Sequence, residues 1–150
     1  MAFSDIIGQA VAFEAEAYDF YDKAIDIVTS EQARTILREL RAEEEAHKAK
    51  LEEVLAKGPS WAVSTGKSEE IVDLKIGEFA LPGELTTSSD FQDALLIAIK
   101  REEASYDFYH KMVGLVSAEA KPVFEFLANE EAKHKNKVQD IYDQLVYRDN

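Results

Sequence analysis

Apolar residues recur along this chain at steps of three and four, the spacing of one face of an α-helix, in four separate runs. From Ser4 to about Val28 the run is Ile7, Val11, Tyr18, Tyr21, Ile25 and Val28, with Ser4 or Asp5 available as N-cap. A break at Thr29-Ser30 opens a second run, Leu37, Leu40, Leu51 and Val54, which stops at Gly58-Pro59, a helix-ending pair. The third opens at Ser89, where Ser89 and Gln92 have the spacing of a capping box, and passes through Leu95, Ile99, Tyr106, Tyr109 and Met112. After Gly114 to Ser117 a fourth begins, with Pro122 tolerated near its start, and carries Phe124, Leu127, Val138, Ile141 and Leu145 to about Tyr147. The pattern predicts an all-α protein built from two helical hairpins, about 4–57 and 89–147, joined by a long connector over 58–88. A short helical piece is expected in that connector near Glu69 to Ile76, and residues 1–150 are expected to form one domain.

Four gaps in these apolar seams are filled by acids and histidines. Glu14 falls between Val11 and Tyr18, and Glu102 between Ile99 and Tyr106. Glu44 and His47 continue the seam from Leu40 to Leu51, as Glu131 and His134 do from Leu127 to Val138. Residues three apart on a helix share a face, so each Glu-x-x-His aims a carboxylate and an imidazole the same way. Burying an ionised carboxylate costs several kcal/mol unless it is paired or bound to a metal.

The two halves are an internal repeat. The segment Glu14 to Tyr21 aligns with Glu102 to Tyr109, and Leu40, Glu44 and His47 align with Leu127, Glu131 and His134. In an antiparallel hairpin, residues equidistant from the turn lie level. Glu14 and Glu44 are therefore level about a turn near residue 29, and Glu102 and Glu131 about one between Val116 and Ser117. Each lies ~20 Å from its turn at 1.5 Å per residue. Two hairpins packed seam to seam would gather Glu14, Glu44, His47, Glu102, Glu131 and His134 at one depth, a set that suits two divalent cations. Oxygen and imidazole donors favour iron or manganese.

Composition narrows the reading. A formal net charge of −13 argues against nucleic-acid or anionic-membrane partners. The absence of cysteine excludes a disulfide framework, a cysteine zinc site and a resident iron–sulfur or rubredoxin-type centre. No signal-peptide pattern opens the chain, no apolar run approaches the roughly 20 residues that cross a bilayer, and a cytoplasmic protein is expected.

Over nearly its full length the chain resembles the rubrerythrin-like branch of the ferritin-like superfamily. The Glu-x-x-Ala-x-x-Phe-Tyr segment of the first helix carries the likeness, with the two Glu-x-x-His segments, Asp73 to Ile76 of the connector and Phe91 to Leu95. The resemblance implies a ferritin-like four-helix bundle with helices two and three parallel, the long connector crossing the bundle between them. It also implies a carboxylate-bridged dinuclear iron site that reduces hydrogen peroxide or O2 with electrons from a separate donor protein. Glu44 and Glu131 would bridge the metals, Glu14 and Glu102 would cap them, and His47 and His134 would each bind one. Two departures stand out. Ser105 occupies the position of an additional family carboxylate, and the cysteine-ligated rubredoxin domain is absent from the sequence, so the six-residue set is closer to that of bacterioferritin.

Two other readings of the same residues stay open: a non-catalytic protein for iron storage or delivery, and a bundle that uses its Glu and His clusters only as buried polar networks. Tyr18 and Tyr106, one turn beyond Glu14 and Glu102, could hydrogen-bond ligand carboxylates or be ordinary core aromatics. Tyr21 and Tyr109 are expected to pack, His110 to lie on the surface, and Glu16, Glu43, Glu45, Glu103 and Glu130 to face water. Trp61 is expected to anchor the connector. A homodimer is the default assembly.

Overall fold

The computed structural model describes residues 3–28, 31–58, 61 and 91–148. Helix α1 spans Phe3–Ile27, α2 Glu31–Lys57, α3 Phe91–Val113 and α4 Lys121–Arg148. The described residues form the expected ferritin-like bundle of two hairpins. Backbones approach closely within each hairpin, α1 against α2 and α3 against α4, and much less between hairpins, where α1 faces α3 and α2 faces α4. The Thr29-Ser30 break, the Ser89 cap, the segment Glu69 to Ile76, the Leu145 side chain and most of the connector lie outside the described residues.

Two apolar clusters fix the direction of every helix. One joins Phe3, Ile6 and Ile7 near the start of α1 to Leu51 and Val54 near the end of α2, Met112 at the end of α3, and Phe124 and Leu127 near the start of α4. The other joins Phe20 and Ala24 of α1 to Leu37 and Leu40 of α2, Leu95 and Ala98 of α3, and Val138 of α4. Hence α2 and α3 run the same way, antiparallel to α1 and α4, and the chain must cross the length of the bundle between Gly58 and Phe91. Burying each large side chain contributes about 1.5–3 kcal/mol, and the charged layer is held between the two clusters.

Local chemistry sets the helix ends. Ser4 and Asp5 lie inside α1, which already runs from Phe3, so neither is its N-cap. Phe3, Ile6, Ile7 and Ala10 are buried, and that packing holds the first turn. The Val28 carbonyl accepts a hydrogen bond from Arg34 Nε at 3.1 Å, tying the end of α1 to α2. Gly58 adopts φ +81°, the left-handed conformation that ends a helix at little cost only for glycine, and its N–H bonds the Val54 carbonyl at 3.1 Å. At the other turn the Ser117 hydroxyl accepts the Ala120 N–H at 3.2 Å and donates to the Trp61 carbonyl. Trp61 packs on the first apolar cluster with Lys57 Nζ 4.4 Å above its ring, so it does anchor the beginning of the connector.

Candidate metal centre

Between the two apolar clusters lies one polar layer, and all six expected residues are in it. Glu14, Glu44, His47, Glu102, Glu131 and His134 are each at most 2% exposed. Each helix contributes at the predicted depth: Glu14 from α1, Glu44 and His47 from α2, Glu102 from α3, Glu131 and His134 from α4. The two imidazoles stack, with ring centroids 5.2 Å apart and planes 9° from parallel. Each histidine looks across to the other hairpin. His47 Nδ1 lies 2.7 Å from Glu131 Oε1, and His134 Nδ1 lies 2.9 Å from Glu44 Oε1. Glu14 and Glu102 sit further out, at 3.7 Å from His47 Nδ1 and 3.6 Å from His134 Nδ1.

Tyrosines complete the layer, and they are not the pair favoured by sequence. The Tyr21 hydroxyl donates to Glu102 Oε1, and the Tyr109 hydroxyl donates to Glu14 Oε1. Each therefore reaches the carboxylate of the opposite hairpin. Tyr18 and Tyr106 are only half-buried. Tyr18 lies 5.7 Å from the Arg41 guanidinium, and Tyr106 stacks on the exposed His110 at 5.6 Å. The reason is angular. Four helical residues turn about 40° beyond a full turn, whereas seven fall only about 20° short of two, so Tyr21 shares Glu14's bearing more closely than Tyr18 does.

A second correction concerns Glu43 and Glu130, which do not simply face water. Both are half-buried and turn toward the outer edge of His134. Glu43 Oε2 contacts His134 Nε2, and Glu130 Oε2 lies 3.9 Å from the same nitrogen. The Glu43 contact was hidden because it crosses to the other hairpin, whereas Glu130 lies one turn before His134 on α4 itself, a spacing that was legible in the sequence. Glu45, Glu103 and Glu16 are exposed as expected, the last two 3.2 Å from Lys135 and 3.9 Å from Arg101.

Protons are distributed to neutralise the layer. Burial, then the charges of Glu14 and Glu102, push the Glu44 carboxyl well above the usual carboxylate range. Burial, then Glu102, Glu44 and Glu14, do the same to Glu131. For Glu102 burial acts upward, but hydrogen bonds with Glu131 and His134 bring the carboxyl below its ordinary value. Burial disfavours imidazolium at His47, yet Glu14 and Glu44 overcome it and raise the ring to about 9. His134 is raised in the same way, against burial, by Glu102 with Glu43 and Glu130. Burial first, then the carboxylate charges, raise Tyr21 and Tyr109, so both phenols stay protonated donors.

The layer fits a pair of cations. One ligand atom each from Glu44, His47, Glu131 and His134 can be chosen with all four within 4.8 Å of one another. Glu14 Oε2, Glu102 Oε2, Glu131 Oε1 and His47 Nδ1 are buried with no hydrogen bond of acceptable geometry. Such orphaned atoms are costly in a protein interior, and a bound cation would satisfy them. Four carboxylates offset the charge of two divalent ions, and the oxygen and nitrogen donor set suits iron or manganese.

Fold and site together define a ferritin-like helical bundle with a buried Glu and His cluster able to hold a metal pair. The chain belongs to the Rubrerythrin family, whose pattern it matches over residues 5–142. A hypothetical protein from Pyrococcus furiosus shares the fold, with a TM-score of 0.77 and 23% identity over 98% of this chain and 92% of that one. No curated protein matches the chain. Among the described residues no helix is long and apolar enough to cross a membrane.

Proposed function

We propose that this protein is a non-haem dinuclear iron oxidoreductase that reduces hydrogen peroxide or O2 with electrons from a separate donor protein. The observation that carries the reading is the cross-hairpin layer itself, two stacked imidazoles enclosed by four buried carboxylates. Glu44, His47, Glu131 and His134 would hold the metal pair, with Glu14 and Glu102 at its two ends. Bound iron would supply the two electrons that convert one peroxide and two protons to two waters. The residues do the rest. Tyr21 holds Glu102, and Tyr109 holds Glu14, through hydrogen bonds that fix the direction of each carboxylate. Both phenols keep a proton at Oη within the layer. The apolar clusters above and below exclude bulk water, which strengthens each charge interaction between them.

The test is stopped-flow mixing of the Fe(II)-loaded protein with hydrogen peroxide. Oxidation well above the rate of free Fe(II), with about two irons per chain oxidised together, is expected. Oxidation no faster than that of free Fe(II) would exclude the catalytic role and leave iron storage or delivery as the reading of the same residues.

A further inference from the structure

We propose that Glu43 is a positioning residue for His134, and that it makes the two halves of the metal centre inequivalent: the half containing His134 binds a divalent cation more tightly than the half containing His47. The proposal rests on the reading that the polar layer holds a metal pair. His134 is fully buried. Its Nδ1 faces the layer, 2.9 Å from Glu44, and its Nε2 points outward onto Glu43 Oε2. A neutral imidazole that binds a cation through Nδ1 carries its proton on Nε2, and that buried N–H needs an acceptor. Glu43 Oε2 is the carboxylate oxygen in contact with Nε2; the two atoms are not aligned as a hydrogen bond in the metal-free layer, and a turn of either side chain would form one. A carboxylate behind a ligating imidazole fixes its tautomer and ring orientation and makes the ring more basic. Lys137 Nζ, 3.7 Å from the other Glu43 oxygen, holds the carboxylate in place.

The internal repeat would supply His47 with the same device, and it does not. The offset that carries Glu44 to Glu131 and His47 to His134, 131 − 44 = 87, carries Glu43 to Glu130. Glu130 is instead turned toward His134, at 3.9 Å from Nε2 and beyond hydrogen-bonding distance. The carboxylates near His47, those of Glu14, Glu44 and Glu131, all approach its Nδ1. The edge of its ring meets Phe126, with centroids 6.3 Å apart and planes at 88°. A phenyl ring cannot replace a carboxylate as the acceptor of an imidazole N–H. One half of an otherwise two-fold site thus has a carboxylate against the outer nitrogen of its imidazole, while the carboxylates paired with the other imidazole all sit on its layer side.

The experiment is a Co(II) titration of the metal-free full chain, followed by its visible absorption bands and by calorimetry, for wild type, Glu43→Ala, Glu43→Gln and Glu130→Gln. Wild type is expected to bind two ions in separate steps. Glu43→Ala should weaken the tighter step by about 10–100-fold and change its visible bands while leaving the weaker step alone. Glu43→Gln, which keeps an acceptor oxygen without the charge, should fall between, and Glu130→Gln should match wild type. Two equal steps in wild type, an equal shift of both steps, or no shift in Glu43→Ala would overturn the inference while leaving the metal pair intact. So would a third Co(II) lost with Glu43, which would make the outer carboxylates a cation site. A wild-type protein that binds no Co(II) would overturn the metal reading and this inference with it.

Discussion

The metal-free protein should become less stable as pH rises from 6 to 9, against the common trend, and His47 sets the scale. Its folded-state value of about 9 stands above the ordinary 6.5, so the fold holds this proton more tightly than the unfolded chain does. That contribution is fully present below about pH 6.5 and is lost as pH climbs through 9. The difference, 9 − 6.5 = 2.5 pH units, is worth about 3.4 kcal/mol. In a chain of this size that corresponds to a fall in Tm of about 7–14 °C. His134, Glu44 and Glu131 are also raised, so each favours the protonated fold and acts in the same direction as pH rises through its own folded-state value. The assay is thermal unfolding by circular dichroism with a chelator present, at pH 6, 7.5 and 9. Metal binding displaces the same protons and should reverse the slope. A metal-free Tm that is constant or rises over this window would refute the assignment of protons to the layer. A slope unchanged in His47→Gln would show that it arises elsewhere.

Other perturbations separate layer from rim. Tyr21→Phe and Tyr109→Phe each strip a buried carboxylate of its donor, and each should cost about 1.5–3 kcal/mol in chemical denaturation, nearly alike because the halves repeat. Tyr18→Phe and Tyr106→Phe, outside the layer, should stay within about 0.5 kcal/mol of wild type. Gly58→Ala should cost about 1–2 kcal/mol although nothing lies within 4 Å of the added methyl, since the penalty comes from φ +81° alone.

The sequence announced the bundle because its seams step by three and four and because Gly58 and the break near Val28 bound them. It announced the six residues because hairpin symmetry makes depth a matter of counting from the turn. Glu14 with Glu44 and Glu102 with Glu131 are found level for that reason. Which hydroxyl reaches which carboxylate was not legible on one helix. Tyr21 and Tyr109 act across hairpins, so a search one turn along the same helix selected Tyr18 and Tyr106 instead. Glu43 and Glu130 were obscured by the general preference of glutamate for water, and Glu43 also because its contact crosses to the other hairpin. In the structure both turn to one histidine. The first-turn cap failed for another reason: Phe3 and Ile6 bury against Met112 and Phe124 at the far end of the other hairpin, and tertiary packing prevails over local capping there.

The most direct test of the metal pair is the iron content of protein expressed with iron supplied, beside a Glu44→Ala, Glu131→Ala double variant. The account predicts about two irons per chain in the first and nearly none in the second, with both proteins helical. Iron absent from both, or retained in the double variant, would mean that the buried Glu and His layer is a polar network and not a metal centre.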